Sequence, residues 1–333
     1  MPNTLFVLLD GMEDDPNPEL GGKKPYEVAK MPFIRSKAPY LYHTTGRGYT
    51  QLFLNEFWTG HPPDVARAAI EAYGLSMDMT HGRTAFRMSP AFVNGRTVKW
   101  VYGIDDRAEE LEECVRENMY LLQDRNPQIK FFVHGRSVIT MEYPFEIPEA
   151  PQAPVDGPYV RFPGELGELI EQVAGELDGL TVYPWGVGKV GTSYPSFDCV
   201  KNLTAISNSP TALGIAAIVG HKIQFVDRLD DRLPAAREAL KRGNVFLHFD
   251  EVDEYSHQKD ARKKIAVLEH IDELMSEYFS DVENIVFFVD HGTSCVTGTH
   301  ILMDVPFRTS FKAFDEERVE LSTLVPTLME RTK

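Results

Sequence analysis

The residues best suited to chemistry lie in one stretch, Asn244 to Asp260, NVFLHFDEVDEYSHQKD. Val245 to Phe249 is a short apolar run that reads as a buried strand. It ends in Asp250, Glu251, Asp253 and Glu254, and His257 follows four residues after Asp253. An ion taken out of water costs several kcal/mol unless it is paired or metal-bound, so this much carboxylate at the mouth of a core strand needs positive charge facing it. A divalent metal supplies that charge compactly. Two other apolar runs end the same way: Thr4 to Leu9 runs into Asp10-Gly11, and Ile285 to Val289 runs into Asp290-His291, with His300 close behind. Taken singly, each residue reads as a cap, a turn or a satisfied side chain. Together, Asp10, Asp253, His257, Asp290, His291 and His300 form six oxygen and nitrogen donors, enough for two metals that each keep an open position.

Three strand ends far apart in sequence meet only if the strands lie side by side. In an open parallel sheet the ligand crevice lies beyond the carboxyl ends of the strands, which is the arrangement these endings require. The last third of the chain alternates suitably. Ala212 to Val219 reads as helix, Ile223 to Val226 as strand, Pro234 to Arg242 as helix, Val245 to Phe249 as strand, Lys259 to Phe279 as helix and Ile285 to Val289 as strand. Such alternation predicts a doubly wound, mainly parallel sheet with right-handed crossovers. Near the N-terminus, residues 50–58 are rich in aromatics, and Pro63 to Tyr73 reads as a helix with Pro63 in its first turn and Gly74 closing it.

Between Ala85 and Pro184 the pattern changes. A hairpin from Phe86 to Val101 turns at Asn94-Gly95, a helix runs from Asp106 to Gln123, and Lys130 to Tyr143 is extended. A proline-rich connection, Pro144 to Pro163, leads to a helix with Leu166, Leu169, Ile170, Val173 and Leu177 on its inner face. None of these strands ends in acid. Residues 85–184 are therefore expected to form an inserted α+β lid, with residues 1–84 and 185–333 as a discontinuous catalytic domain.

Composition bounds the function. The 333 residues suit one large domain with a smaller one or two ordinary domains, and 43% hydrophobic with 11% aromatic content suits a packed globule. Fifty acids against 34 bases give a formal net charge of −16, which repels phosphate backbones, so no nucleic-acid partner is expected. No apolar run reaches membrane-spanning length and the first strand begins at residue 4, so a cytoplasmic protein without a membrane partner is expected. Cys114, Cys199 and Cys295 are odd in number and widely spaced, which suggests neither disulfides nor a cysteine metal site. Cys295 reads as a small buried side chain near His291.

Several stretches, in order along nearly the whole chain, resemble the archaeal-type cofactor-independent phosphoglycerate mutases of the alkaline phosphatase superfamily. They are Leu8-Leu9-Asp10-Gly11 with Lys24-Pro25, Ala85-Phe86-Arg87, Pro184 to Lys189 continuing to Pro195-Ser196-Phe197, Asp253 to His257, Asp290 to Thr293, and Thr299-His300 running into Asp304 to Phe307. The resemblance implies an alkaline-phosphatase-like fold with an inserted lid, and two divalent ions, commonly manganese or zinc. It implies that Asp10, Asp290 and His291 hold one ion and Asp253, His257 and His300 the other. It also implies a charge-stabilising lysine at Lys201 and substrate contacts at Arg87 and Lys189. The family's nucleophile is a serine in a stretch like Ser-Asp-x-Ala. Here that stretch resembles Pro63-Asp64-Val65-Ala66, and proline cannot attack phosphorus. Thr59 is the nearest hydroxyl and the expected substitute, with His61 beside it as a further substrate contact, and His81-Gly82-Arg83 resembles the remnant of a substrate loop.

These features predict a two-metal enzyme that transfers or hydrolyses a phosphoryl or phosphonyl group on a small anionic metabolite, with a metal-bound water, a second substrate or Thr59 attacking. A genuine phosphoglycerate mutase using Thr59 is one alternative. A catalytically dead homologue that binds a metabolite or another protein is the other, and six costly polar groups at one site argue against it.

Overall fold

A computed structural model describes residues 3–79, 82–101, 104, 106–149, 153–189, 191 and 194–332. The chain divides into two compact units, one of residues Met1–Pro63 and Ser193–Lys333, the other of Asp64–Thr192. Among the described residues no helix is long and apolar enough to cross a membrane.

The first unit is built on a seven-stranded sheet: β1 (Thr4–Leu9), β2 (Tyr40–Thr45), β3 (Thr204–Ser207), β4 (Lys222–Phe225), β5 (Val245–Phe249), β6 (Asn284–Phe288) and β7 (Asp304–Thr309). Their spatial order is β4-β3-β5-β1-β6-β7-β2. The first five in that order are mutually parallel, and β7 runs antiparallel to both β6 and β2. The unit's helices of seven residues or more are α1 (Thr50–Thr59), α2 (Pro210–Ile218), α3 (Leu229–Leu240), α4 (Glu251–His257), α5 (Ala261–Phe279) and α6 (Leu321–Arg331), and two shorter ones span Pro25–Val28 and Pro32–Lys37. This is the doubly wound, mainly parallel α/β fold expected from the alternation of apolar runs.

The core explains why the central strands are apolar throughout. Every residue of β1, β5 and β6 is buried, as strands covered on both faces must be. The aromatic stretch at 50–58 forms α1. Its Phe57 stacks on Phe288 at 4.5 Å between ring centres, and its Trp58 meets Phe6 and Phe246 edge-on. Burying each such ring stabilises the fold by about 1.5–3 kcal/mol, which pins α1 across β5, β1 and β6.

The second unit is α+β. Thr84–Val93 is its central strand, paired antiparallel with Thr97–Trp100 and Arg136–Met141 on one side and with Leu180–Gly188 on the other. The hairpin turns at Asn94-Gly95, as read from the sequence, with the Asn94 carboxamide oxygen accepting from the Arg96 and Thr97 N–H groups. The compact unit is wider than residues 85–184 because Leu180–Gly188 pairs over its length with Thr84–Val93 and cannot be divided from it. Three local readings change. The helix expected from Pro63 begins at Arg67, since Ala66 is extended and a side chain at Gly188 or Gly191 would strike Ala66 or the Asp64 carbonyl, leaving no room for another helical turn there. The helix expected from Asp106 to Gln123 is regular only from Ala108 to Asn118, and tightens to a 3-10 turn beyond. The extended segment 130–143 is a hairpin, with strands Gln128–Phe132 and Arg136–Met141 turning where His134 takes a left-handed conformation.

Candidate metal centre

Strand register assembles the centre. β5, β1 and β6 are neighbours, and Leu8 is level with His248 on one side and Phe288 on the other. Two residues later Asp10, Asp250 and Asp290 leave the carboxyl edge of the sheet together. Helix α4 then begins, and its four-residue spacing puts Asp253 and His257 on one face, with His257 Nε2 3.1 Å from Asp253 Oδ2. After β6 a short antiparallel ribbon pairs Thr293 with His300 and folds the latter back, so that His300 Nε2 lies 3.1 Å from His257 Nε2 and 3.8 Å from Asp253 Oδ2. His291 Nε2 lies 3.1 Å from Asp10 Oδ1 and 3.5 Å from Asp290 Oδ2. Gly11 is needed at the turn: its φ is +59°, and a Cβ there would sit 2.4 Å from Asp253 Oδ1.

All six sequence-derived donors therefore gather in one cluster. The donor atoms of Asp253, His257 and His300 lie within 4.8 Å of one another, and so do those of Asp10, Asp253 and His291. A four-coordinate ion with ligands about 2.1 Å away separates its donors by about 3.4 Å, so both trios need only small adjustments. Asp253 belongs to both trios, a shared role that spacing did not reveal.

The surroundings fit metal ligation. His257 Nδ1 is 2.9 Å from the Gly298 carbonyl and His300 Nδ1 is 2.7 Å from the Gly48 carbonyl. A proton held on each Nδ1 leaves the Nε2 lone pairs facing Asp253, the usual outer-shell arrangement of ligating imidazoles. Asp290 Oδ1 accepts from the N–H groups of Gly11 and His291, while its buried Oδ2 has no hydrogen-bond partner among the described residues. A buried carboxylate oxygen without a hydrogen bond is suited to a cation.

Electrostatics point the same way. Burial and the charge of Asp10 push Asp290 up to about 7. Burial also works against charge on Asp10 and Asp253, yet bonds from His248 and His291 hold Asp10 well below the usual carboxylate range, and bonds from His257 and His300 do the same for Asp253. Burial opposes charge on His257 and His291, but Asp253 carries the first up to about 9, and Asp290 with Asp10 carry the second up to about 10. Without metal, protons on the imidazoles supply the positive charge the carboxylates demand.

Three further residues complete the cluster. Thr50, the first residue of α1, places Oγ1 3.4 Å from both Asp10 oxygens and from His291 Nε2. Tyr49, at the N-cap of that helix, makes no side-chain cap, so α1 presents its dipole beside the cluster. His248, buried in β5, donates through Nε2 to Asp10 Oδ2 at 2.8 Å, and its Nδ1 shares a hydrogen bond with Ser207 Oγ at 2.7 Å. The apolar run hid His248, although a lone imidazole inside VFLHF is itself a signal. Thr50 carries no local signature.

Other expected residues stand elsewhere. Thr59 is at the opposite end of α1, about 13 Å along the helix axis from Thr50, and its hydroxyl is spent on the Asn55 carbonyl at 2.6 Å. His61 lies beyond it, stacked on Tyr194 at 4.3 Å. Lys201 lies at the other edge of the sheet: its carbonyl accepts from Asn244, just before β5 begins, and the length of β5, about 13 Å, separates that edge from the cluster. None of the three is brought to the metal donors, because each was placed by closeness along the chain or by motif and not by strand direction. Arg87 is in the second unit, buried, ion-paired to Glu71 at 2.6 Å and stacked over Phe132, and Lys189 is exposed in the same unit. Cys295 is buried, with its N–H on Asp14. His81 lies outside the described residues.

Comparison with known proteins places this geometry. Residues 210–329, which carry five of the six donors, match the model of the Metalloenzyme superfamily. The chain is similar to cofactor-independent phosphoglycerate mutases. It is 24% identical to the 2,3-bisphosphoglycerate-independent phosphoglycerate mutase of Picrophilus torridus, over 96% of this chain and 92% of that one. It is 25% identical to the corresponding protein of Pyrobaculum calidifontis, over 92% and 88%. Among solved structures it resembles the PH0037 protein of Pyrococcus horikoshii, with a TM-score of 0.72 at 19% identity over 100% of this chain and 98% of that one. It also resembles the cofactor-independent phosphoglycerate mutase of Thermoplasma acidophilum, with a TM-score of 0.57 at 18% identity over 99% of both. At these identities the structural likeness speaks for the shared fold.

Proposed function

We propose that this chain is a two-metal enzyme that transfers or hydrolyses a phosphoryl or phosphonyl group on a small anionic metabolite. The observation that carries the reading is Thr50: a hydroxyl at an uncapped helix N-terminus, 3.4 Å from Asp10 and His291, within a cluster of carboxylates and imidazoles built for cations. Asp253, His257 and His300 would hold one divalent ion, manganese or zinc, and Asp10 and His291 the other, with Asp290 beside His291 and Asp253 between the two. When bound, the ions supply the positive charge that neutralises phosphoryl oxygens. The chain supplies the rest. His248 and Ser207 orient Asp10, the α1 dipole favours the incoming anion, and Thr50 Oγ is the oxygen placed to attack phosphorus. We therefore assign Thr50 the role that the sequence suggested for Thr59. The inserted segment keeps its proposed role as a lid, and a cytoplasmic location remains part of this reading.

A second reading is favoured by the end-to-end match to phosphoglycerate mutases: the same centre moves phosphate between the hydroxyls of glycerate, with Thr50 as the carrier. One experiment separates them. The manganese-loaded protein is incubated with 3-phosphoglycerate and, separately, with p-nitrophenyl phosphate. Products are followed by phosphorus NMR, and the Thr50 peptide is examined by mass spectrometry for an added phosphoryl group. Interconversion with 2-phosphoglycerate supports the mutase, and phosphate release without it supports the hydrolase or transferase. A Thr50→Ala variant that retains full turnover in both assays overturns Thr50 as nucleophile.

A further inference from the structure

The first unit also holds a cavity of about 380 Å³ on the sheet face opposite α1. It is open to solvent on the side of Arg35 and Leu41 and has the size of a small-ligand site. Leu9, Met31, Ile34 and Phe287 give it apolar walls. Two guanidiniums, Arg35 and Arg308, also line it. Arg308 is anomalous: β7 pairs it with Phe287 on one side and Leu41 on the other, so a cation sits in an otherwise apolar row of the sheet.

Neither guanidinium has a carboxylate within ion-pair distance among the described residues, whereas Arg47, Arg232, Arg237 and Arg318 of the same unit each have one. Their recorded bonds go to main-chain carbonyls, Arg35 to those of Tyr26 and Ala29 and Arg308 to that of Ala38. Burial and the charge of Arg35 hold Arg308 below the usual arginine range, so the two cations repel each other across the cavity. Glu13 and Glu27 also line the cavity, and Asp272 feels the charge of Arg35. Glu13 pairs with Lys24, Glu27 accepts from the Lys24 N–H, and Asp272 accepts from the N–H groups of Phe33 and Ile34. Two arginines with no carboxylate in ion-pair contact among the described residues, over apolar walls, form an anion site with a hydrophobic bed.

We propose that this cavity binds a small amphipathic anion, with an apolar body on Leu9, Met31, Ile34 and Phe287 and a carboxylate or phosphate head held by Arg35 and Arg308. The site is separate from the metal donors, although Leu9 directly precedes Asp10. The test is calorimetric titration of the manganese-loaded full chain with decanoate, decyl phosphate and the neutral decan-1-ol. Besides any binding at the metal centre that persists in Arg35→Ala and Arg308→Met, at least one anion is expected to fill one saturable site per chain at least tenfold more tightly than the alcohol, and the ranking of the two heads at that site identifies the source of the charge. Arg35→Ala, at an exposed position, and Arg308→Met should each weaken the anion at least fivefold and leave the alcohol unchanged. Absence of saturable binding by either anion, equal binding of the alcohol, or unaltered binding in the folded Arg35→Ala variant would overturn the proposal.

Discussion

Removing divalent metal from the protein and returning it is the perturbation with the most calculable outcome. A ligand that binds only the folded state stabilises it by about 2.7 kcal/mol when present at 100 times its dissociation constant. The unit that carries the cluster has about 200 residues, and a domain of that size gains about 2–4 °C in melting temperature per kcal/mol. One filled site is therefore worth about 5–11 °C, and two filled sites roughly twice that. The assay is a thermal melt of chelator-treated protein with manganese or zinc titrated back, at pH 6.5 and pH 9. The pH arm has a definite sign. His257 is raised to about 9, above its unfolded value, so in metal-free protein its contribution is fully present below about pH 6.5 and is lost as pH rises through 9. A metal must displace that proton, so metal-free protein should melt lower at pH 9, and the metal-induced rise should be larger there. Asp253→Asn, which removes the carboxylate common to both trios, should abolish most of the rise. No rise with either ion at either pH, or an equal rise in Asp253→Asn, would refute the reasoning.

The remaining expectations concern single side chains. Thr59→Val should lose about 0.5–1.5 kcal/mol of stability with its bond to the Asn55 carbonyl while keeping turnover, and Lys201→Ala should leave turnover within twofold; steady-state kinetics beside Thr50→Ala check both. Arg87→Ala leaves the buried Glu71 with its Arg67 partner at 2.7 Å, and urea unfolding should show a loss of about 1.5–3 kcal/mol from the second unit. Lys264→Met should cost about 3–5 kcal/mol in the first unit, because the Lys264 ammonium, fully buried, pairs with the equally buried Asp14 at 2.9 Å and bonds the Gly11 and Thr293 carbonyls.

What the sequence disclosed follows from how local each signal is. β1, β5 and β6 were legible because an uninterrupted apolar run closed by an acid is a pattern within ten residues, and parallel strands buried on both faces must look like that. Their adjacency brought Asp10, Asp290 and His291 together, while the helical spacing after β5 and the ribbon after β6 added Asp253, His257 and His300. Thr50 was invisible because its place depends on α1 docking its aromatic face across Phe6, Phe246 and Phe288, contacts between segments about 50 to 230 residues apart. Lys201 and Thr59 failed for the opposite reason: motif and closeness along the chain were taken for closeness in space, and strand or helix length carried each away from the cluster. The start of the helix at Arg67 was missed because Gly188 and Gly191 crowd Ala66 and Asp64, and no reading of residues 63–74 alone contains that.

The level ends of β5, β1 and β6 bear on how the protein is made. The donors come from three separated parts of the sequence, at Asp10, at Asp253 and His257, and from Asp290 to His300, so neither trio is complete until the stretch from His291 to His300 has joined the other two. In the proposed two-metal enzyme, ion uptake would then follow pairing of the central strands. An ion captured earlier would find at most two donors of its trio, which would make metal loading a late event of folding and a stringent report that the chain has reached its native form.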